Sequence, residues 1–276
     1  MLRPVTLCLP TSLVLAFAGQ ASAEEIHETA TLDRASGQTG AAADLSFVSD
    51  FDAGFVSRLD LHGQWMHASG FGTYGQLAVS RAFLDDSATI EPIDTFALSN
   101  LEVGGQYRRA LSSELSIVGH IGLTLPTAQN EGGAFLTNLM SSQRRFNDLV
   151  NAIPEITAIR LGVSPTWKRG AVFARADLGL DVIVDHADEM ESPEPVGHAN
   201  LAIGARSGKL SGAAELVTMF STGDVSEGAD RFIHTGAVSF RYDAGQVSPS
   251  LTIVTPLDDG ARGESLTVGA GVSAKF

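Results

Sequence analysis

Charged and polar side chains recur at every second position in several segments of the sequence, and these are the residues that could do chemistry. One run contains Arg58, Asp60 and His62, and another contains Glu102 and Arg108. Side chains two positions apart share one face of a β-strand, so each run would present its charges to one side. The candidates with this placement are Arg58, Asp60, His62, Glu102, Arg108, His120, Arg160, Arg175, Asp177, Asp181, Arg206, Glu215 and Arg241.

Two kinds of chemistry fit these charges. Seven basic residues, counting Lys275, oppose five acidic ones, and ion pairs among them could fill and rigidify the interior of the fold. Alternatively, the same residues could line a polar path for a solute, with Arg58, Arg160 and Arg175 contacting it. Both interpretations stay open at the level of the sequence.

Catalytic groupings are weak by comparison. His67 and Ser69 have a His-x-Ser spacing but fall in a predicted turn, and His186 has only its loop neighbours Asp185 and Asp188 beside it. Neither group has a nucleophile, a base and an orienting acid placed by separate elements, as covalent catalysis requires. We therefore predict no catalytic residue, no metal site, no cofactor and no enzyme activity.

Period-two alternation of apolar and polar residues extends along nearly the whole sequence, and it predicts β-strands as the elements that hold these charges. In the last segment, every even position from Leu266 to Phe276 is apolar. Twelve strands are counted in this way. They are predicted at 43–51, 55–67, 71–83, 98–109, 115–125, 156–167, 171–184, 196–206, 210–220, 231–242, 247–254 and 265–276.

Short and long connections alternate between these strands. Turns such as 68–70 and 110–114 interleave with much longer loops, which is the asymmetry of membrane barrels with short periplasmic turns and long outer loops. No run beyond the N-terminus approaches the ~18–20 apolar residues of a membrane helix. Residues 43–276 are therefore predicted to form an all-β fold, a transmembrane antiparallel up-and-down β-barrel of about 12 strands.

Aromatic residues on the apolar face fall near the strand ends, as the two interfacial girdles of a membrane barrel do. Phe55 and Trp65 are ten positions apart, as are Phe232 and Tyr242. In a strand tilted by ~45° this separation spans roughly 23 Å, close to the apolar band of such barrels. The periplasmic girdle is predicted to contain Trp65, Tyr107, Trp167, Phe240, Tyr242 and Phe276, and the outer one Phe51, Phe55, Phe83, Phe220 and Phe232.

The N-terminus has the features of a secretory signal peptide at residues 1–23. Arg3 gives the positive start, residues 9–18 are mostly apolar, and Ala21 and Ala23 fit the small-residue cleavage rule. The segment 24–42 has no hydrophobic period and is predicted to be a flexible periplasmic segment. Export is therefore expected, with the cell outer membrane of a Gram-negative bacterium as the destination.

The longest predicted outer loop has a helical period instead of a strand period. Apolar residues recur there every three or four positions, and Thr137 or Asn138 could cap a short amphipathic helix. Such a helix could be a lid over the barrel mouth, or it could simply pack across the rim. The lid candidates are Leu139, Arg144, Arg145, Phe146 and Leu149.

The formal net charge is −14, and most of the acidic excess lies in predicted outer loops, for example at Asp85, Asp86, Asp188, Glu189 and Asp258. An acidic mouth would concentrate cations at low salt. The same acids could instead bind divalent cations that bridge lipopolysaccharide, so outer-membrane lipid and lipopolysaccharide are predicted partners. A strongly acidic surface argues against a nucleic-acid partner.

The terminal strand resembles the one by which the barrel assembly machinery recognises outer-membrane β-barrel proteins. The resemblance implies that Phe276 is an assembly signal and that this machinery is a partner. Residues 98–127 also resemble the meta-pathway phenol-degradation family of transporter-like outer-membrane proteins, whose pattern is matched by Leu101, Tyr107, Arg108 and Pro126-Thr127 but not by Ala128. That resemblance implies uptake of a small aromatic or hydrophobic solute.

We therefore expect a porin-like channel for passive uptake of a small-molecule solute. A closed structural or adhesion barrel that acts through its acidic loops is the alternative, and a lipid-modifying enzyme is a third reading. A continuous water path would favour the channel. A lumen sealed by arginine–aspartate pairs would favour the closed barrel.

Overall fold

The alternating sequence folds into a closed antiparallel β-barrel. The computed structural model describes residues 38–50, 54–84, 93–131, 133–186, 195–223, 231–259 and 262–276. Its strands are β1 Gly40–Asp50, β2 Gly54–Met66, β3 Phe71–Leu84, β4 Ile93–Leu98, β5 Leu101–Ala110, β6 Leu115–Leu125, β7 Ile156–Arg169, β8 Val172–His186, β9 Pro195–Ser207, β10 Leu210–Ser221, β11 Phe232–Tyr242, β12 Val247–Pro256 and β13 Ser265–Lys275.

The barrel closes because the first strand pairs with the last. β1 is antiparallel to both β2 and β13, with Asp44 opposite Asp60 on one side and Gly271 on the other. β4 and β5 both pair with β3, so they occupy one position around the barrel in succession. The described strands therefore fill twelve positions, and the predicted fold class is confirmed.

The predicted strand boundaries hold to within a few residues, with one interruption. β1 begins at Gly40 instead of residue 43, and β8 extends to His186, so Asp185 and His186 end a strand. The strand predicted at 98–109 is β5, which begins at Leu101, and Ser99 and Asn100 separate it from β4, a strand that was not predicted. Asn has low strand propensity, and the polar groups of Asn100 bond to the longest outer loop, as described below, whereas Ser99 bonds Ala78 of β3.

The two faces of the wall are opposite to those of a water-soluble protein. Outward positions carry exposed apolar side chains, for example Leu61, Ile121 and Ile203, whereas inward positions carry buried polar ones. An exposed apolar surface that encircles a barrel is the pattern expected for contact with lipid. The outward-facing Arg81 is half exposed and pairs with Asp94 at 3.0 Å.

Aromatic rings pair across neighbouring strands near both ends of the barrel. Following the sequence prediction, the end with the long loops is called the outer end and the end with the short turns the periplasmic end. At the outer end the ring centroids of Phe55 and Phe83 are 5.0 Å apart, and at the periplasmic end those of Phe71 and Tyr107 are 4.6 Å apart. Such cross-strand aromatic pairs stabilise a sheet. Phe51 and residues 1–37, which include the predicted signal peptide and most of segment 24–42, lie outside the described residues, as do Asp85, Asp86, Asp188 and Glu189.

The longest outer loop folds into the barrel. It forms an α-helix, α1 (Ala134–Ser141), followed by an irregular 3₁₀ segment (Ser142–Asn151). Residues 134–151 are here called the insert: α1 contacts β1, β2, β3 and β4, and the 3₁₀ segment contacts β1, β10, β12 and β13. Within the described residues, no helix has both the length and the apolar character needed to cross a membrane.

Two apolar clusters on the inner wall hold the insert near the outer rim. Met140 packs on the cluster Val48, Val56, Ala82 and Leu84. A second cluster combines Val150 of the insert with three wall residues, Ile156, Ala158 and Ile183. The insert is thus fixed at two points by burial of apolar side chains, each of which contributes about 1.5–3 kcal/mol when fully buried.

A closed barrel makes a direct prediction about electrophoresis. Apart from β4, which is paired with β3 on one side, the described wall strands are hydrogen-bonded on both sides, so the fold should resist detergent until it is heated. We expect the protein to migrate differently in detergent gels before and after boiling, and to fractionate with membranes. Recovery in a soluble fraction without detergent, with a single mobility, would contradict a membrane barrel.

Candidate functional site

Arg160 of β7 is the centre of the interior. Its guanidinium donates to both oxygens of Asp181 on β8 at 2.8 and 3.0 Å, to Glu102 of β5 at 2.7 Å, and to Asp148 of the insert at 3.0 Å. The fifth bond goes to the backbone carbonyl of Asn147 at 2.7 Å. A guanidinium has five N–H donors, so the buried group is fully satisfied, and two of its bonds end on the insert.

Glu102 collects donors from three directions. Its Oε1 accepts from the Tyr74 hydroxyl at 2.8 Å. Its Oε2 accepts from Gln76 at 2.7 Å, from Asn151 of the insert at 3.2 Å and from Arg160 at 2.7 Å. Four donors satisfy the hydrogen-bonding capacity of this buried carboxylate, and one of them is the Arg160 cation. The wall and the insert therefore share one hydrogen-bonded network.

A second cation comes from the insert. Arg145 bonds Asp148 at 2.8 Å, so the Asp148 carboxylate lies between the guanidinium groups of Arg145 and Arg160. With Glu102 and Asp181, the group holds two positive and three negative charges, all buried. Charges taken out of water are tolerated only when they are paired in this way.

The insert also bonds to the neighbouring strands β2 and β3. Arg58 of β2 donates to Asp60 at 2.8 Å and to the Ser141 hydroxyl at 3.3 Å, and Ser80 donates to the same hydroxyl at 2.8 Å. Arg58 and Asp60, with Arg145 and Asn151 of the insert, line a small cavity that has room for roughly one water molecule. The predicted lumen residues Arg58 and Asp60 are therefore brought against the insert, as is Arg160.

The break between β4 and β5 is a docking site for the insert. Asn100 donates its side-chain amide to the carbonyls of Val150 at 3.2 Å and Ile153 at 2.6 Å, and its backbone N–H bonds the Asn151 carbonyl at 2.8 Å. Asn138 of α1 donates to the Leu98 carbonyl at 2.8 Å. Groups that a continuous strand would use for sheet bonding are thus given to the insert.

The helix of the insert is present as predicted, but its buried face is the opposite of the predicted one. Thr137, Asn138 and Ser141 of α1 are buried, whereas Leu139 is half-buried and Phe135 is 39% exposed. The helix begins at Ala134 after Gly133, so Thr137 and Asn138 are not its N-cap. The interior of this barrel is polar, so the polar face packs inward.

The lid candidates separate in the same way. Arg144 and Arg145 are buried in the interior, while Leu139, Phe146 and Leu149 are half-buried. The anchoring apolar residues are Met140 and Val150 instead.

The buried charges of Arg145, Arg160, Glu102, Asp148 and Asp181 are here called the hub. A second polar group lies on the wall between the hub and the periplasmic end. The Ser164 hydroxyl donates to Asp177, and His198 lies 3.3 Å from the other oxygen of that carboxylate. Asp177 therefore lies between the serine and the histidine. In a catalytic triad the histidine occupies the middle and contacts the nucleophile, so this arrangement does not activate Ser164.

Glycines on inward positions let the imidazoles in this region lie flat on the wall. A side chain at Gly162 would overlap the ring of His120, and one at Gly179 would overlap the ring of His198. Both histidines are therefore buried along the wall instead of projecting across the barrel.

The remaining predicted lumen residues also face inward. Arg175 and His62 are buried, Glu215 accepts a bond from Ser239 at 3.4 Å, and Arg108 and Arg241 are half-buried. Arg206 lies at the periplasmic rim and bonds Asp243 at 2.8 Å. The Gly245 backbone N–H, together with Lys275 and Arg206, lowers the pKa of the Asp243 carboxyl, which therefore stays charged at neutral pH.

Several interior residues were missed by sequence reasoning. Asp44, Tyr74 and Gln76 lie on the inward parity of predicted strands, so the alternation that identified the other lumen residues could have found them. Asn100 could have been flagged by the Ser-Asn pair inside a predicted strand. Asp148 had no local signal, because its role depends on the loop folding inward.

Solved structures that share this barrel fold include porins and an outer-membrane channel. No family model and no curated protein sequence matches the chain. Among solved structures, the COG4313 outer membrane channel from Pseudomonas putida F1 has a TM-score of 0.62 at 11% identity over 94% of this chain and 100% of that one. The NanC porin has a TM-score of 0.56 at 11% identity, covering 86% of this chain and 100% of that one.

A third similar structure is a KdgM porin in complex with disordered oligogalacturonate. It has a TM-score of 0.52 at 12% identity, covering 85% of this chain and 99% of that one. At these identities the similarity shows a shared barrel fold. The interior contacts described above are those of this chain, and the similarity in fold does not extend to them.

The hub predicts a large effect for one substitution. Arg160→Met should leave Glu102, Asp148 and Asp181 buried without their shared cation, and should lower the free energy of unfolding by about 3–5 kcal/mol. The measurement is urea-induced unfolding in detergent, with tryptophan fluorescence as the signal.

Arg81→Met is the matched control, because it removes an exposed Arg–Asp pair that contributes about 0–1 kcal/mol. Equal losses of unfolding free energy in the two variants would show that the interior network stabilises the fold no more than an exposed ion pair does.

Proposed function

We propose that this chain is an outer-membrane channel for passive passage of a small solute, closed in this conformation by the insert. The observation that supports it is the direction of the ion pairs. Arg58 pairs within its own strand, Arg160 pairs with Asp181 on the next strand, and its partner Glu102 is two strands away. These wall pairs follow the wall, and the described contacts that cross the interior go through the insert.

The proposed location is the outer membrane of a Gram-negative bacterium. It is supported by the apolar outer face, the aromatic pairs at both ends and the fold shared with outer-membrane channels. Outer-membrane lipid and lipopolysaccharide would contact that face. Assembly through the barrel assembly machinery, with Phe276 as the recognition signal, completes this part of the proposal.

The proposed solute is small and carries an aromatic or hydrophobic part, as the family resemblance implies. The face of α1 opposite its buried polar residues supports this choice. Phe135 is exposed there, and Leu136 and Leu139 are half-buried. These side chains give an apolar contact surface on the insert, while the wall below it is polar.

A closed structural barrel is the second candidate, and the Arg160 hub favours it. Five charged groups meet there, and the interior is filled at that level. The two proposals differ in whether the insert leaves. An enzyme is not proposed, because the Ser164, Asp177 and His198 group has the wrong order for catalysis.

Releasing the insert should therefore open the barrel. The variant Asn138→Ala, Asp148→Ala, Asn151→Ala removes insert bonds to Leu98, Arg160 and Glu102 without leaving a wall charge unpaired, since Arg160 keeps Glu102 and Asp181. We expect a higher single-channel conductance in planar bilayers than for the unmodified protein.

The control is Leu139→Ser, Phe146→Ser, Leu149→Ser, which changes the half-buried apolar residues of the same segment and should raise the conductance less. Heat-dependent gel migration establishes that each variant is assembled. An assembled polar variant that conducts no ions would favour the closed structural barrel.

The preference of the channel for cations or anions tests the effect of its negative net charge on permeation. The net charge is −14, and negative charge near a pore attracts cations until salt screens it over about 8 Å at physiological ionic strength. Reversal potentials across a KCl gradient should show cation preference at low salt that shrinks at high salt. Anion preference would mean that the inward arginines dominate permeation.

A further inference from the structure

A wall pocket about midway along β1 and β13 holds a guanidinium from the insert. Arg144 bonds Asp44 of β1 at 2.9 Å, and both side chains are largely buried. The Arg144 guanidinium lies over Gly269, where an added Cβ would be 3.4 Å from its central carbon. The Asp44 carboxylate lies against Gly271, where any Cβ would overlap it.

The wall alone forms this pocket. Asp44 is opposite Gly271 in the pairing of β1 with β13, and Gly269 is the next inward position on the same strand. Two successive inward glycines make a flat, bare-backbone floor, and the carboxylate gives one end of it a negative charge. The occupant comes from the insert, so the pocket would remain on the wall if the insert left.

The wall around the insert is more acidic than basic. The described wall residues of this region that are charged are Asp44, Asp60, Glu102 and Asp181 against Arg58 and Arg160. Four carboxylates against two arginines leave a charge of −2, and the insert brings Arg144, Arg145 and Asp148, a net +1 that offsets half of it in the closed form. Removal of the insert would therefore expose a site that attracts positive charge.

We propose that this pocket, formed by Asp44, Gly269 and Gly271, binds a small organic cation with a guanidinium or primary ammonium group, and that Arg144 occupies it as an internal ligand in the closed form. The inference rests on the proposed channel function, since an external cation enters only when Arg144 leaves. It narrows the solute class to compounds that carry such a group beside their apolar part. A planar guanidinium suits the site because it can bond a carboxylate while lying flat on the floor.

Methylguanidinium is the probe for the pocket. In Arg144→Ala the internal ligand is removed, and saturation-transfer NMR on the detergent-solubilised protein should detect binding of millimolar methylguanidinium. The double variant Arg144→Ala, Asp44→Asn should weaken this binding about tenfold or more, because a charge-assisted bond is lost. The unmodified protein should bind the probe weakly, because Arg144 fills the pocket. Acetate should give no signal with any variant.

The matched control is Arg81→Ala, which removes an exposed arginine paired with Asp94 and should bind no more probe than the unmodified protein. Equal binding by Arg144→Ala and the double variant would overturn the pocket, as would equal binding of acetate. If Arg144→Ala does not assemble, Gly269→Val takes its place. It keeps Asp44 but fills the floor, so it should displace Arg144 and bind no methylguanidinium, and tight binding would overturn the proposal.

Conductance separates this inference from the channel proposal. In Arg144→Ala, methylguanidinium should lower the raised conductance by restoring the missing group. Binding by NMR without conductance in any variant would contradict the channel function and support the pocket. Conductance that methylguanidinium does not change, with no NMR binding, would support the channel function and contradict the pocket.

Discussion

The burial of the Arg160 guanidinium is the constraint on which the rest of the interior depends. Once that group is out of water, each of its five donors needs an acceptor and its charge needs compensation. The wall supplies Asp181 and Glu102, and the insert supplies Asp148 and a backbone carbonyl. The position of the insert therefore follows from completing the bonds of a wall arginine.

The same logic explains why the insert packs by its polar face. A soluble protein buries the apolar face of an amphipathic loop helix against an apolar core. This barrel carries its apolar residues outward, so the interior offers carboxylates, arginines and hydroxyls, and only the inner rim offers apolar clusters. Asn138 and Ser141 therefore point to the wall, and Phe135 does not.

The sequence predicted the parts of this fold that depend on local period and failed where long-range bonds decide. Alternation located the strands and the short turns, because a slip of one residue would put every lumen charge into lipid. It identified Arg160 and Asp181 as inward, but not their meeting with Asp148, which is separated from Arg160 by twelve positions and lies in a loop. The interruption at Asn100 escaped for the same reason, since its partners Val150 and Ile153 are about fifty residues away.

Many buried charged bonds do not by themselves make the closure permanent. A substitution that removes Arg160 leaves carboxylates buried and unpaired, which is costly. Departure of the whole insert differs, because water enters as the insert leaves and hydrates both members of every broken pair. Since desolvation nearly cancels the attraction of a buried pair, the net cost of opening is far smaller than the sum of the bonds. A network that is strongly destabilised by a single substitution can thus still allow the insert to leave as a unit. An external cation that competes for one of its carboxylates would shift the equilibrium toward the open form.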